Sequence, residues 1–315
     1  MKKVVILESL GISEEELEGF KKPFEGEVCF EEFEKTTDTA KLIEEAQDAD
    51  AMIIANMPMP GAVIEACKKL DFIDVAFTGV DHVGLDAAKA KGIKLSNASG
   101  YSNEAVSELV IGMALSMLRN IPQTQERVRA GGTKDGLVGS ELKGKTVGII
   151  GFGNIGRRTG ELMNAFGCRV IACSKSIHND YPQYAEQMEL DEILKISDIV
   201  VLHTPLNDST RGLINYEKLS LMKPSAILIN VARGPVCNED DLARALNEGI
   251  IAGAAVDVFT KEPPLPADTQ MLGAKNTLLT PHIAFATKES MTLRAEIVFD
   301  NLRAWLDGGQ KNVIL

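Results

Sequence analysis

Three short segments of this chain carry ionisable side chains directly after apolar runs: Asn230-Val231-Ala232-Arg233-Gly234, Asp257-Val258-Phe259-Thr260-Lys261-Glu262-Pro263-Pro264 and Pro281-His282-Ile283-Ala284. An arginine, a carboxylate and an imidazole are the set that hydride transfer to a 2-keto acid requires. The cation holds the substrate carboxylate, the imidazole gives a proton to the growing alkoxide, and the acid keeps that donor protonated. Arg233, His282 and Glu262 fit those tasks. Singly, each has a plainer reading: Arg233 as a surface charge, Glu262 as a solvated turn residue before Pro263. Their joint occurrence favours the catalytic set. His203, after the apolar run 199–202, is a rival base and reads instead as lining a cofactor cleft, while His82 reads as a turn residue and His178 as exposed. The four histidines and five cysteines show no metal-ligand spacing, so no metal is expected.

The cofactor is legible in Thr146-Val147-Gly148-Ile149-Ile150-Gly151-Phe152-Gly153-Asn154-Ile155-Gly156, a buried strand, a G-x-G-x-x-G turn and a helix start in that order. Gly151 makes the tight turn, Gly153 lets a pyrophosphate approach the backbone, and Gly156 lets helix and strand pack closely. The helix start offers N–H groups and partial positive charge to the anion. In NAD sites a carboxylate about 20 residues further on binds the ribose hydroxyls. Here that place holds Ser174, followed by Lys175 and Ser176. A hydroxyl and an ammonium attract a 2′-phosphate that a carboxylate would repel, so these residues lean toward NADP(H). A solvated loop that tolerates NAD equally is the alternative.

These segments need a scaffold that sends strand ends to one edge. Strands are expected at residues 4–7, 28–33, 51–55, 72–77 and 93–95, then at 169–173, 199–202, 226–230, 253–256 and 277–279. Helical patterns alternate with them, and Ser13-Glu14-Glu15-Glu16 reads as a capping box. The alternation predicts an α/β class with two doubly wound parallel sheets. A helix over 103–119 carries Val106, Leu109, Val110, Met113 and Met117 on one stripe, with the small residues Gly112, Ala114 and Ser116 open either to a partner subunit or to the same chain. The segment 130–136 reads as a loop. An amphipathic helix over 288–306 is expected to return and cover the first sheet. Met57, Pro58, Met59 and Pro60 are expected to shape the substrate side of the cleft, admitting a small side chain rather than a phosphate.

Composition narrows the partners. At 315 residues, 45% hydrophobic and 25% charged, the chain has room for two domains. A net charge of −12 argues against nucleic acid or an anionic membrane. No apolar run reaches the ~20 residues of a membrane span. The start, Met1-Lys2-Lys3-Val4-Val5-Ile6-Leu7, is too short and too soon acidic for a signal peptide. Scattered Cys29, Cys67, Cys168, Cys173 and Cys237 suit reduced thiols, so a cytoplasmic protein is expected and a cysteine nucleophile is not.

Taken together, the glycine motif, the Asn230–Gly234 segment, Asp257 with Glu262-Pro263-Pro264, and Pro281-His282-Ile283-Ala284 resemble the D-isomer-specific 2-hydroxyacid dehydrogenases. The segments Glu262-Pro263-Pro264 and Pro281-His282-Ile283-Ala284-Phe285-Ala286-Thr287 look most like the hydroxypyruvate and glyoxylate reductase (glycerate dehydrogenase) branch. The resemblance implies a flavodoxin-like substrate-binding domain, residues 1–100 with 286–315, and a Rossmann dinucleotide-binding domain, residues 101–285. It implies His282 as acid/base, Glu262 as its partner and Arg233 as clamp for carboxylate and carbonyl. Thr78, Gly79 and Val80 would surround the substrate carboxylate. Gly151, Gly153, Asn154, Ile155, Gly156, Ser174, Lys175, His203, Thr204, Pro205, Val231, Ala232, Asp257 and Ala284 would line the cofactor, with Asp257 near the nicotinamide carboxamide. It further implies a cleft that closes about hinges near 98–101 and 284–287, and a homodimer through the helix near 103–119. D-lactate and D-3-phosphoglycerate dehydrogenases are alternative activities within the family. A dinucleotide-sensing corepressor on the same fold is an alternative of another class; a methyltransferase leaves Arg233, Glu262 and His282 without a task.

Overall fold

Short β-branched and aliphatic runs bounded by turn residues become parallel strands, because the helices between them cover both faces and let every side chain be apolar. In a computed structural model, which describes residues 1–174 and 181–315, the chain forms two compact units, Met1–Ser102 with Ala286–Leu315, and Asn103–Phe285. Lys175, Ser176 and His178 lie outside the described residues.

The first unit has strands β1 Lys2–Ile6, β2 Val28–Glu32, β3 Ala51–Ile54, β4 Phe72–Val75 and β5 Lys94–Asn97, all parallel in the order β2-β1-β3-β4-β5. β3 and β4 are buried along their whole length, as central strands under two helical layers must be. The expected strands form, with ends displaced by one or two residues. Ser13 opens helix Glu14–Lys21 with a capping box: its hydroxyl accepts from Glu16 N at 3.2 Å and Glu16 Oε2 accepts from Ser13 N at 3.0 Å. The last helix, Lys288–Leu306, stacks Phe299 on Phe20 at 5.3 Å and Trp305 on Phe72 at 5.4 Å. Its Asn301 Nδ2 donates to Asp74 Oδ1 and to Asn97 O, both at 3.0 Å, so buried polar groups of β4 and β5 are met from that helix.

The second unit has β6 Thr146–Ile150, β7 Arg169–Cys173, β8 Ala185–Gln187, β9 Ile199–Leu202, β10 Ile227–Asn230, β11 Gly253–Val256 and β12 Thr277–Leu279. The order is β12-β11-β10-β9-β6-β7-β8, so the winding reverses between β6 and β9. Such a reversal leaves a crevice at the carboxyl ends of the strands, where ligands of open α/β sheets bind. Register makes the edge level. Ile150 pairs with Leu202, Leu202 with Asn230, Asn230 with Val256 and Val256 with Leu279. The next residues, Gly151, His203, Val231, Asp257 and Thr280, therefore start five adjacent loops on one rim, about 19 Å long at ~4.8 Å per strand. The helix at the unit's start, Asn103–Leu118, buries Val106, Val110 and Met113, with Leu109 and Met117 partly buried in the same apolar core.

Candidate active site

At β6 the rim is a phosphate cradle. Gly151 has φ +99° and donates to Cys173 O at 2.9 Å, and a Cβ on it would lie 2.6 Å from backbone atoms of His203 and Thr204. A Cβ on Gly156 would lie 2.1 Å from Gly151 O, whereas among the described residues, its chain neighbours aside, nothing comes within 4 Å of one on Gly153. The turn is therefore closed toward the sheet and open at Gly153 alone, beside the first N–H groups of helix Asn154–Ala165, whose N-cap Gly153 brings no side chain to them. These residues fit the pyrophosphate of a dinucleotide.

Ser174, half-buried, follows directly on β7 beside that turn; Lys175 of the same reading lies outside the described residues. Beyond β9, Thr204 is half-buried and Pro205 exposed, the carbonyl of Pro205 accepting from Thr210 Oγ1 at 2.7 Å. His203 Nε2 lies 2.9 Å from Thr159 Oγ1, and burial pushes the pKa of this imidazole down to about 3. So weak a base holds no proton near neutral pH, which removes His203 as a rival to His282. Burial likewise pushes the Cys168 and Cys173 thiols up to about 11, far from nucleophilic.

The Arg233 loop is held from below by Asn230, whose Oδ1 accepts from Ala232 N and whose Nδ2 donates to Arg233 O, each at 3.1 Å. Val231 and Ala232 are buried, and Arg233, extended at φ −148°, keeps its guanidinium partly exposed, with Nη1 donating to Ala232 O at 2.9 Å. Gly234 joins this loop to the next: a Cβ there would fall 2.0 Å from the carbonyl carbon of Phe259. The Arg233 loop thus lies flat on the backbone leading to Glu262, and Glu239 fixes that backbone by accepting from Thr260 N.

Asp257 is fully buried and organises the third loop. Its Oδ1 accepts from Thr280 Oγ1 and from Ile283 N at 2.9 Å, its Oδ2 accepts from Ala284 N at 2.9 Å, and its carbonyl accepts from His282 N at 2.8 Å. His282 sits between these anchors with φ +56°, a left-handed conformation that costs a non-glycine residue about 1–3 kcal/mol and persists because the surroundings over-determine it. In this conformation the imidazole Nδ1 lies 3.1 Å from Glu262 Oε2 and the Phe285 ring stands edge-on at 5.3 Å. His282 is 15% exposed and Glu262 46% exposed in their side chains, a proton donor at the wall of the rim with its carboxylate on the solvent side. The contact of Nδ1 with Glu262 fixes the orientation of the ring.

In the first unit, considered alone, Thr78, Gly79 and Val80 follow β4 and are partly exposed. Asn97 Nδ2 donates to Thr78 O at 2.7 Å, and the buried Thr78 Oγ1 meets no hydrogen-bond partner among the described residues. Of the four residues expected to shape the substrate side, Met57 and Met59 are fully buried, while Pro58 and Pro60 are exposed.

Residues 111–284 match the family model for the NAD binding domain of D-isomer specific 2-hydroxyacid dehydrogenases. The chain belongs to this family. Among its relatives, the hydroxypyruvate reductase of Blautia hydrogenotrophica is 34% identical over 99% of each chain. The glyoxylate reductase of Thermofilum pendens is 37% identical over 85% of this chain and 81% of its own. Among solved structures, an acyclic imino acid reductase in complex with NADPH and D-Arg superposes with a TM-score of 0.92 at 29% identity, over 99% of this chain and 100% of its own. This 2-hydroxyacid dehydrogenase is thus an NAD(P)-dependent oxidoreductase. Three of its supporting residues lie outside the motifs: Glu239, Thr280 and Thr159. Each acts through a contact with a loop distant in sequence, and the one sequence signal is that Thr280 directly precedes Pro281-His282.

Proposed function

We propose that this dehydrogenase reduces a small 2-keto acid, most readily hydroxypyruvate or glyoxylate, to the D-2-hydroxy acid with NADPH or NADH. The observation that carries the reading is the His282–Glu262 pair at 3.1 Å, raised on the same sheet rim as the Arg233 loop and the glycine turn. A dinucleotide held at the turn of Gly151, Gly153 and Gly156 would supply the hydride for the keto carbon. Arg233 holds the substrate carboxylate and draws electron density onto the carbonyl oxygen. Protonated His282 gives its Nε2 proton to that oxygen as the C–O π bond opens, and Glu262 stabilises the imidazolium until then. Thr78, Gly79 and Val80 serve the substrate carboxylate. Buried Asp257 serves geometry, holding the His282 backbone in its strained turn. Ser174, where NAD sites carry an acid, supports a preference for NADPH.

The test is initial-rate oxidation of NADPH and NADH with glyoxylate, hydroxypyruvate, pyruvate and phosphohydroxypyruvate. Hydroxypyruvate and glyoxylate are expected to give the highest kcat/KM, with NADPH ahead of NADH. A chain that binds NAD(P)H yet oxidises it with none of these acids would instead be the dinucleotide sensor.

A further inference from the structure

Ser107, Thr159 and His203 stand in line beneath the glycine turn. Ser107, in helix Asn103–Leu118, and Thr159, in helix Asn154–Ala165, are both fully buried. Ser107 Oγ lies 3.3 Å from Ile155 O, Thr159 Oγ1 lies 3.1 Å from Ser107 Oγ, and His203 Nε2 lies 2.9 Å from Thr159 Oγ1. The end group dictates the direction of this chain. A carbonyl oxygen only accepts, so the Ser107 hydroxyl donates to Ile155. The Ser107 oxygen then accepts the Thr159 proton, and the Thr159 oxygen accepts from Nε2–H of His203. The reverse order would leave the Ile155 carbonyl without that donor and force two hydroxyls to turn toward a bare Nε2. Nε2 therefore carries the ring's single proton, and burial keeps a second one off. Nδ1 is left as a lone pair, which no donor meets among the described residues. The residue's position completes the picture: its backbone lies against Gly151, on the rim between the phosphate cradle and the Arg233 loop.

We propose that the Ser107–Thr159 hydroxyl pair locks His203 as the Nε2–H tautomer, so that Nδ1 accepts a hydrogen bond from a hydroxyl or amino group of the bound dinucleotide. The inference rests on the dinucleotide site of the proposed function and adds to it what His203 can recognise. A bare lone pair repels phosphate oxygens, where an imidazolium would attract them. His203 thus selects for a nucleoside donor, and Thr159 and Ser107 are positioning residues that act through it.

The test combines ¹⁵N NMR of the histidines with fluorescence titration by NADH and NADPH, using Thr159→Val, Thr159→Ser, Ser107→Ala and, for assignment, His203→Gln. In the wild type, Nδ1 of His203 is expected to resonate as an unprotonated nitrogen and to move upfield when dinucleotide binds. Thr159→Val removes the acceptor at nearly constant volume, so both tautomers are expected and the Kd for either dinucleotide rises about 5-fold, the worth of one neutral hydrogen bond. Thr159→Ser restores tautomer and affinity. Ser107→Ala leaves the Thr159 proton without its acceptor and shifts the tautomer in the same sense as Thr159→Val. A protonated Nδ1 in the wild type, an unchanged tautomer in Thr159→Val, or a loss that Thr159→Ser does not restore overturns the proposal. A wild type that binds neither dinucleotide, whatever its tautomer, overturns the function reading along with it.

Discussion

Replacing His282 is expected to lower kcat for keto-acid reduction by about 10²–10⁴-fold, the usual worth of a positioned general acid, while dinucleotide affinity is retained. The choice of replacement matters because His282 occupies φ +56°. Alanine resists that conformation, whereas asparagine tolerates it through local hydrogen bonding of its short side chain. His282→Asn therefore keeps the Asp257-anchored loop and removes only the titrating group, and His282→Ala adds backbone relaxation to the same loss. Steady-state kinetics beside fluorescence titration with NADPH separates the two. Dinucleotide binding that falls in both variants would assign His282 to the cofactor rather than to proton transfer.

Arg233→Ala is expected to cost about 10²–10³-fold in kcat/KM, as removal of a preorganised group at a developing oxyanion does. The reason is double duty: one guanidinium, on a loop whose backbone is held by the Asn230 side chain and by Gly234 against Phe259, must meet both a carboxylate and the oxygen that becomes an alkoxide. Arg233→Lys is expected to recover little, because an ammonium is a point charge without a planar fork. Full activity in Arg233→Lys would show that charge alone suffices and that the paired contact is absent.

Much of this architecture is legible in the sequence because a parallel sheet announces itself as continuous apolar runs. β9, β11 and β12 begin and end where Ile199, Gly253 and Thr277 open runs closed by polar or turn residues. β8 escapes because Ala185–Gln187 has neither β-branched residues nor length and gains its hydrogen bonds only by lying beside β7. Helix Ile121–Arg129 escapes for the opposite reason: it buries no side chain, so it has no apolar stripe to read. In the site, ionisable residues after strand ends are conspicuous. What holds them is not, since Asp257 reaching Thr280, Ile283 and Ala284, Glu239 reaching Thr260, and Gly234 lying on Phe259 are relations between loops that only the finished sheet makes neighbours. That Met57 and Met59 are buried while Pro58 and Pro60 are exposed is not legible either, since an apolar residue reads alike on either side of a loop.

The central claim is that Glu262 and His282 work as one unit on the substrate oxygen, and a double-mutant cycle measures it most directly. Glu262→Gln alone is expected to slow kcat, and Glu262→Gln added to His282→Asn is expected to slow it no further, because the carboxylate acts only through the imidazole. If the two losses multiply instead, the residues act independently and the pair seen at 3.1 Å is not the catalytic acid and its partner.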